Sequence, residues 1–381
     1  MTEHRQQAAR PAGGRILEIT SYPPPRAGWG VRVSYLRRHL REHGHDCQVL
    51  NIGESRRIPS DEYLHVLGLW DFVVKVVGFV RRGYTVHTHI NGDGNKGWYL
   101  ALTAELVCRL WGRPLVLTFH AGPVQRYFPR ERSGAFTPLL WLLLKLPRRI
   151  ICNDHHVQRS LLTYGVPAEK IRPIPAFSRQ YLQYQPAGLD PELERFVKSH
   201  APLLVVYFFL RPEFFVESLI EALAALARRH PGLGAVMVGG GSDQPGVPER
   251  LAAAGIEAHV HCAGDLDHDR FMTLLARAHF YVRTPSKDGV CSSVLEALSL
   301  GVPVVASENG RRPESVITFP PDDGAALART LEEAWARYEA VRAAVRRPAV
   351  RDTVAEEAAL LLELGGRAQA VPAAVPGREQ S

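Results

Sequence analysis

Two carboxylates separated by seven residues are the first chemistry the chain offers. Asp288 stands in the polar turn Lys287-Asp288-Gly289, and Glu296 lies in the apolar stretch after it, within SKDGVCSSVLEALSLGVPVVAS, Ser286–Ser307. Val294, Leu295, Leu298 and Leu300 recur near helical spacing, Ser292 or Ser293 can cap the start, and Gly301 ends the segment, so Cys291 to Leu300 is predicted helical. Pro303–Ala306 is then a short apolar run of the kind buried in a parallel sheet. A polar loop opening into a helix turns backbone N–H groups and the positive dipole end toward one point. That point suits a diphosphate or a cluster of sugar hydroxyls. Acids there have a plainer reading as well, solvation of the helix dipole.

Two more sites carry chemistry. His120 follows the apolar run Pro114–Phe119, at a strand end where open α/β sheets bind ligands, although a lone histidine is often structural. Gly28-Trp29-Gly30 follows the first predicted strand, Arg15–Ser21, and precedes an amphipathic helix from Val31 to His43. Glycines in that turn let backbone approach a phosphate or an acceptor closely, or simply shape the turn. His87, His89, His155 and His156 sit in pairs, but no carboxylate stands at ligand spacing from them, so no metal site is expected. Five scattered cysteines without a C-x-x-C pair exclude a disulfide framework and a zinc site.

The elements that must position these groups alternate along the chain. With 381 residues, 46% hydrophobic and 22% charged, the chain fits two globular domains. Strands are predicted at Cys47–Ile52, Tyr84–His89, Pro114–Phe119 and Arg149–Asn153, with helices at Tyr63–Arg82, Trp98–Trp111 and Asp154–Tyr164 between them. A second series runs from Pro202–Phe209 through the helix Val216–His230, the strand Ala235–Val238 ending in Gly239-Gly240-Gly241, His259–Cys262, and Phe280–Arg283. Ala325–Ala344 and Thr353–Leu364 are predicted as closing helices. Alternation of this kind, twice over, gives an α/β chain of two doubly wound halves.

The Ser286–Ser307 stretch resembles the C-terminal signature of family-4 glycosyltransferases of the GT-B fold: an acid, seven residues, Glu, then A-x-x-x-G-x-P-V-V-A. Here the pattern is Asp288, Glu296, Ala297, Gly301, Pro303, Val304, Val305 and Ala306, with Asp in place of the family's first Glu. Gly165-Val166-Pro167 with Glu169-Lys170-Ile171 is similar to the family's G-V-P-x-E-K-I, and His120 to the family's strand-end histidine. The resemblance spans about residues 15–345. It implies two Rossmann-like domains facing across a cleft and transfer of a sugar from a nucleotide-diphosphate donor (a UDP- or GDP-sugar) with retention and without a metal or other cofactor. On the family pattern Glu296 holds the ribose and Asp288 with Gly289, Val290, Cys291 and Ser292 the donor sugar. Glu213 and Gly240 join the donor side, His120 supports the reacting sugar, and Gly28, Trp29 and Gly30 form the acceptor loop.

One departure stands out. The family's G-R-L-x-x-x-K-G falls on Phe208–Phe215 and puts Phe209 at the Arg and Phe214 at the Lys position, leaving Arg211 as the nearby cation, with Arg311 or Arg312 as helpers. A protein that binds a glycan or partner without catalysis is therefore the alternative reading. Net charge +7 fits anionic ligands; without an RNA-binding signature, nucleic acid is not an expected partner. Thr137–Arg149, TPLLWLLLKLPRR, is either a core helix or an interfacial one touching a membrane. The expected division is a tail at 1–14, an N-terminal domain at 15–178, a linker at 179–200, a nucleotide-sugar domain at 201–345, and a crossover helix and tail at 346–381. A saccharide or lipid-linked acceptor and a cytoplasmic location, at the inner face of the membrane, complete the expectation.

Overall fold

The computed structural model describes residues 13–23, 28–93, 96–120, 125–240, 242–243, 245–286 and 291–366. The first series holds β1 (Arg15–Thr20), α1 (Gly28–Glu42), β2 (Asp46–Asn51), α2 (Leu69–Arg81), β3 (Thr85–Ile90), α3 (Lys96–Leu110), β4 (Leu115–Phe119), the single turn α4 (Arg130–Ser133), α5 (Thr137–Lys145), β5 (Arg149–Cys152), α6 (His155–Leu162) and β6 (Ile171–Pro173). The second holds α7 (Pro191–Ser199), β7 (Leu203–Tyr207), α8 (Val216–Arg229), β8 (Gly234–Val238), α9 (Val247–Ala253), β9 (Val260–Gly264), α10 (His268–Leu275), β10 (Phe280–Arg283), α11 (Ser292–Ser299), β11 (Val304–Ser307), β12 (Ile317–Phe319), α12 (Gly324–Ala336) and α13 (Tyr338–Ala343). A last helix, α14 (Thr353–Leu364), follows.

Each series builds one parallel six-stranded sheet, ordered β2-β1-β3-β4-β5-β6 in the first and β12-β11-β10-β7-β8-β9 in the second. Strand order reverses between β1 and β3, and again between β7 and β10. Those two points are where a doubly wound sheet leaves a crevice at its strand ends. The chain divides into the units Met1–Ala176 with Asp352–Ser381, and Phe177–Arg351. Residues 179–200 fall within the second unit, where α7 buries Leu193 and Val197 against β7 and β8 side chains.

The first sheet is apolar on one face and mixed on the other. Leu17, Ile19, Val86, Leu115, Leu117 and Phe119 point to the side covered by α2, α3 and α5. On the opposite side Ile16 and Val116 pack with Leu36 and Leu40 of α1 and Val354, Ala358 and Leu361 of α14. Two residues further along each strand, on that same face, stand Glu18 and Thr118. The face thus turns from aliphatic to ionisable toward the strand ends.

Several predicted bounds move. The helix predicted over Tyr63–Arg82 starts only at Leu69, because Leu64 instead bonds the β2 backbone (its N–H to the Val49 carbonyl, 2.7 Å) and the Tyr63 hydroxyl donates to Ser55 and Ile58 carbonyls. The predicted helix Ala325–Ala344 breaks at Arg337, whose φ of −122° is not helical. Neither α9 nor β12 was anticipated. The apolar run Thr137–Arg149 becomes α5 and the start of β5. Leu140, Leu143 and Leu144 are buried, while Trp141 stays 46% exposed with Lys145 5.5 Å from its ring.

Candidate active site

In the first unit the site grows from the β1–β3 switch point. Gly28-Trp29-Gly30, predicted as a turn before a helix at Val31, forms the first turn of α1 itself. Glycine costs only about 1 kcal/mol in a helix, and packing offsets that here. A Cβ on Gly30 would lie 2.9 Å from the Ser21 carbonyl oxygen, so only glycine lets α1 rest on the end of β1. Trp29 packs against His120, with ring centroids 4.4 Å apart and the planes tilted by 31°. The sequence placed these two groups 91 residues apart in different roles; the fold brings them into contact.

Behind His120 lies a cluster that sequence reasoning missed. The Glu18 carboxylate receives His87 Nδ1 at 2.9 Å and His89 Nε2 at 2.9 Å, His87 Nε2 meets Thr118 Oγ1 at 2.7 Å, and His89 Nδ1 meets His120 Nε2 at 3.0 Å. The expectation that no carboxylate accompanies His87 and His89 is therefore corrected. It considered neighbours along the chain, whereas β1 pairs with β3 so that Glu18 faces His87 across the sheet. The signal was the i, i+2 histidine pair on one strand face with an acid at the middle of an adjacent buried strand. Burial would raise the Glu18 carboxyl, but the charge and hydrogen bonds of His87 and then His89 hold it down at about 2. Burial would lower His87; Glu18 overrides it and keeps this imidazole above its usual range. Burial, followed by the charges of neighbouring groups, depresses both His89 and His120, the latter well below the ordinary histidine range. His120 is thus neutral near pH 7.

In the second unit the β7–β10 switch point gathers the other residues. Cys291 caps α11, its thiol 3.1 Å from Ser293 Oγ, and the Tyr281 hydroxyl donates to that same oxygen at 2.6 Å. This fixes the start of α11 to β10, with Cys291 and Ser292 half-buried at its open N–H groups. Glu296, one turn in, is 5% exposed, and burial raises its carboxyl to about 8. Gly240 is exposed past β8; its neighbour Gly239 has φ 118°, and a Cβ there would meet the Phe208 carbonyl oxygen at 2.3 Å. Asp288, Gly289 and Val290 lie outside the described residues.

The loop after β7 explains its own unusual sequence. Phe209 and Phe214 meet edge to face at 5.6 Å. Phe215, where the family pattern carries glycine, holds φ 50° and ψ 55°, a left-handed conformation that favours glycine. Arg211 is exposed, 5.2 Å from the Phe209 ring, and Glu213 is half-buried beside it. Arg312 donates to the Ser307 and Pro285 carbonyls. A cation not anticipated from sequence, Arg283 at the end of β10, is 7% exposed and lies 5.1 Å from the Phe214 ring and 5.5 Å from that of Tyr207.

Two doubly wound units, one with a strand-end histidine and one with a buried glutamate in the helix after its fourth strand, make the architecture of the GT-B fold. Residues 27–177 match the family model described as Glycosyltransferase Family 4, and residues 196–358 match Glycosyl transferases group 1. The chain belongs to the family-4 glycosyltransferases of the GT-B fold. Glycogen synthase of Mycobacterium tuberculosis is 26% identical over 346 residues, covering 80% of this chain and 80% of that protein. The GDP-mannose-dependent alpha-(1-6)-phosphatidylinositol monomannoside mannosyltransferase of the same organism is 28% identical over 320 residues, 81% of this chain and 69% of that one. The crystal structure of Anabaena HepE in complex with UDP shares the fold with a TM-score of 0.60 at 16% identity, covering 92% of this chain and 96% of that one.

Proposed function

We propose that the protein moves a sugar from a nucleoside-diphosphate sugar to a saccharide or lipid-linked acceptor, retaining the anomeric configuration and using no metal ion, in the assembly of a surface polysaccharide or glycoconjugate. The observation that carries this reading is Glu296, a carboxyl raised to about 8 by burial one turn into the helix that opens at the β7–β10 switch point. Such a group gains when ligand hydroxyls donate to it. In this reading Glu296 takes the ribose hydroxyls. Asp288 and the backbone of Gly289–Ser292 hold the donor sugar, with Glu213 and Gly240 bordering it. Arg211 and Arg283 offset the diphosphate charge together with the α11 N-terminus. His120 lies beside the reacting sugar, and Gly28, Trp29 and Gly30 shape the acceptor side. The bond from the anomeric carbon to the diphosphate oxygen breaks as the acceptor oxygen bonds on the same face, and the acceptor proton passes to the departing phosphate.

Calorimetric titration with UDP-, GDP- and ADP-sugars, repeated on Glu296→Ala, tests the reading. Binding of one nucleotide sugar that disappears in the variant supports it. Failure of every donor to bind the wild-type chain favours the second reading, a GT-B protein that holds a glycan without transferring it. The observation behind that alternative is the Phe209–Phe214 ring contact where the family keeps Arg and Lys.

The acceptor reading extends to a membrane surface. Among the described residues no helix is long and apolar enough to cross a bilayer. In the first unit, however, Trp70 and Val74 of α2, Leu106 and Leu110 of α3, and Trp141 of α5 are all exposed, and α3 packs on both neighbouring helices. The exposed Trp141 with Lys145 5.5 Å from its ring suits an anionic lipid interface.

A further inference from the structure

Glu18, His89 and His120 form an unbroken polar chain across three adjacent strands, and its hydrogen-bond directions follow from simple chemistry. An ionised carboxylate only accepts, so His89 Nε2, 2.9 Å from Glu18 Oε2, carries the proton. The neutral His89 ring then has a lone pair on Nδ1 and must accept from His120 Nε2 at 3.0 Å. His120 is left with its own lone pair on Nδ1. His87 occupies the other side of Glu18 and is itself seated on Thr118 Oγ1, so the carboxylate cannot turn away from this arrangement.

The chain is also clamped from outside. Trp29 covers the His120 ring, and one turn along α1 Arg32 pairs with Glu357 of α14 at 2.5 Å. Glu357 Oε1 lies 3.8 Å from His87 Nε2, which returns to Glu18. The path from Trp29 through His120, His89, Glu18, His87, Glu357 and Arg32 closes on the same helix that it left. Glu18, His87, His89, Arg32 and Glu357 are each less than 5% exposed. Burial of so many ionisable groups is costly unless each is held by a partner.

We propose that Glu18 and His89 are positioning residues for His120: they lock its imidazole as the Nε2–H tautomer and so present Nδ1 to the ligand as a hydrogen-bond acceptor. Resting on the glycosyl-transfer reading, this means that His120 receives a hydrogen bond from a sugar hydroxyl and does not donate one. The side-chain atoms of Glu18, His87 and His89 lie within 4.8 Å of one another and could gather around a metal ion. A bound cation would require both facing nitrogens to lose their protons and would dissolve the relay; the contacts of 2.9 Å to the carboxylate are ordinary N–H···O distances.

The test is long-range ¹H–¹⁵N NMR of the full chain labelled at histidine, with the His120 signals assigned through His120→Gln. The expected result is a neutral His120 protonated at Nε2 at about pH 7, and a mixture of tautomers in His89→Phe. A wild-type His120 protonated at Nδ1, or one equivalent of zinc retained by the purified protein in elemental analysis, overturns the proposal. The wild-type tautomer decides even if His89→Phe does not fold. Kinetics separate this idea from the reading beneath it. His89→Phe should lose roughly tenfold or more in kcat with little change in donor KM. Normal turnover in a variant whose His120 tautomer is scrambled ends the positioning role but leaves glycosyl transfer standing. An Nε2–H His120 in a chain that binds no nucleotide sugar does the reverse.

Discussion

Arg32 and Glu357, 325 residues apart in the chain, meet as a buried ion pair at 2.5 Å with side chains 3% and 0% exposed. The same guanidinium donates to the carbonyls of Pro175, Ala176 and Thr353, at the two places where the chain leaves and re-enters the first unit. Removing one partner strands the other charge away from water. Glu357→Gln is therefore expected to lower the stability of the first unit by about 3 kcal/mol or more. The double variant Arg32→Met, Glu357→Leu should lose less than the sum of its two single changes. Urea unfolding monitored by hydrogen exchange in β1 and β3 measures both; additive losses would argue against the pairing.

Glu296 should be a liability to the fold and an asset to binding. Its carboxyl is raised from 4.5 to about 8, so between those values the folded chain keeps a proton that the unfolded chain has released. Stability contributed by this group is thus highest below pH 4.5 and falls as pH rises toward 8. Glu296→Gln removes that dependence and should be more stable than wild type at pH 8, by an upper bound of roughly 4 kcal/mol, since one pKa unit is worth about 1.4 kcal/mol. The same substitution should weaken nucleotide-sugar binding. A melting-temperature series across pH, set beside calorimetry, reads both; a destabilised Glu296→Gln chain contradicts the assignment.

Arg283 and Arg211 are expected to act on the diphosphate and not on the base or sugar. Arg283→Gln should weaken UDP or GDP binding about tenfold or more, the loss expected for a charge-assisted hydrogen bond of roughly 1.5–3 kcal/mol. Binding of the corresponding nucleoside should hardly change. Arg211, exposed at the loop, should show a smaller effect that fades with salt. Equal losses for nucleoside and nucleotide would point to a folding defect around Tyr207 and Phe214 instead.

Trp70→Ser combined with Trp141→Ser should reduce sedimentation with vesicles containing anionic lipid. Melting temperature should hold, since both rings are exposed and their removal opens no cavity. Transfer to a water-soluble acceptor should also survive. Unaltered vesicle binding would remove the membrane contact from the reading.

Much of this architecture was legible because its signals are local. The run of valines in β11, the turn at Gly301 and the strand before His120 each announce themselves within ten residues. Glu296 was found for the same reason, its helix and acid spacing lying in one stretch. Glu18 was invisible because its meaning comes from register: it sits inside RILEIT, where a charge looks like a misfit until β3 is laid beside it. Arg283 ends a buried strand and becomes a site residue only through Tyr207 and Phe214 on other elements. The Phe209–Phe214 substitution was legible as a loss; that Phe215 adopts a glycine-like left-handed conformation at φ 50° was not, since side-chain identity does not reveal a strained dihedral.

The return of α14 to the first unit sets an order on synthesis. Val354, Ala358 and Leu361 fill the same face of the sheet as Ile16, Leu36 and Val116, so the half of the protein made first is finished last. While the ribosome adds the second unit, which is one uninterrupted stretch, the carboxylate and imidazoles of β1 and β3 wait without their cover and without Glu357. A message cut short before codon 353 yields a complete second unit attached to a first unit that cannot close. The histidine cluster is therefore sealed only once Thr353–Leu364, made after the whole of the second unit, has packed onto the first sheet.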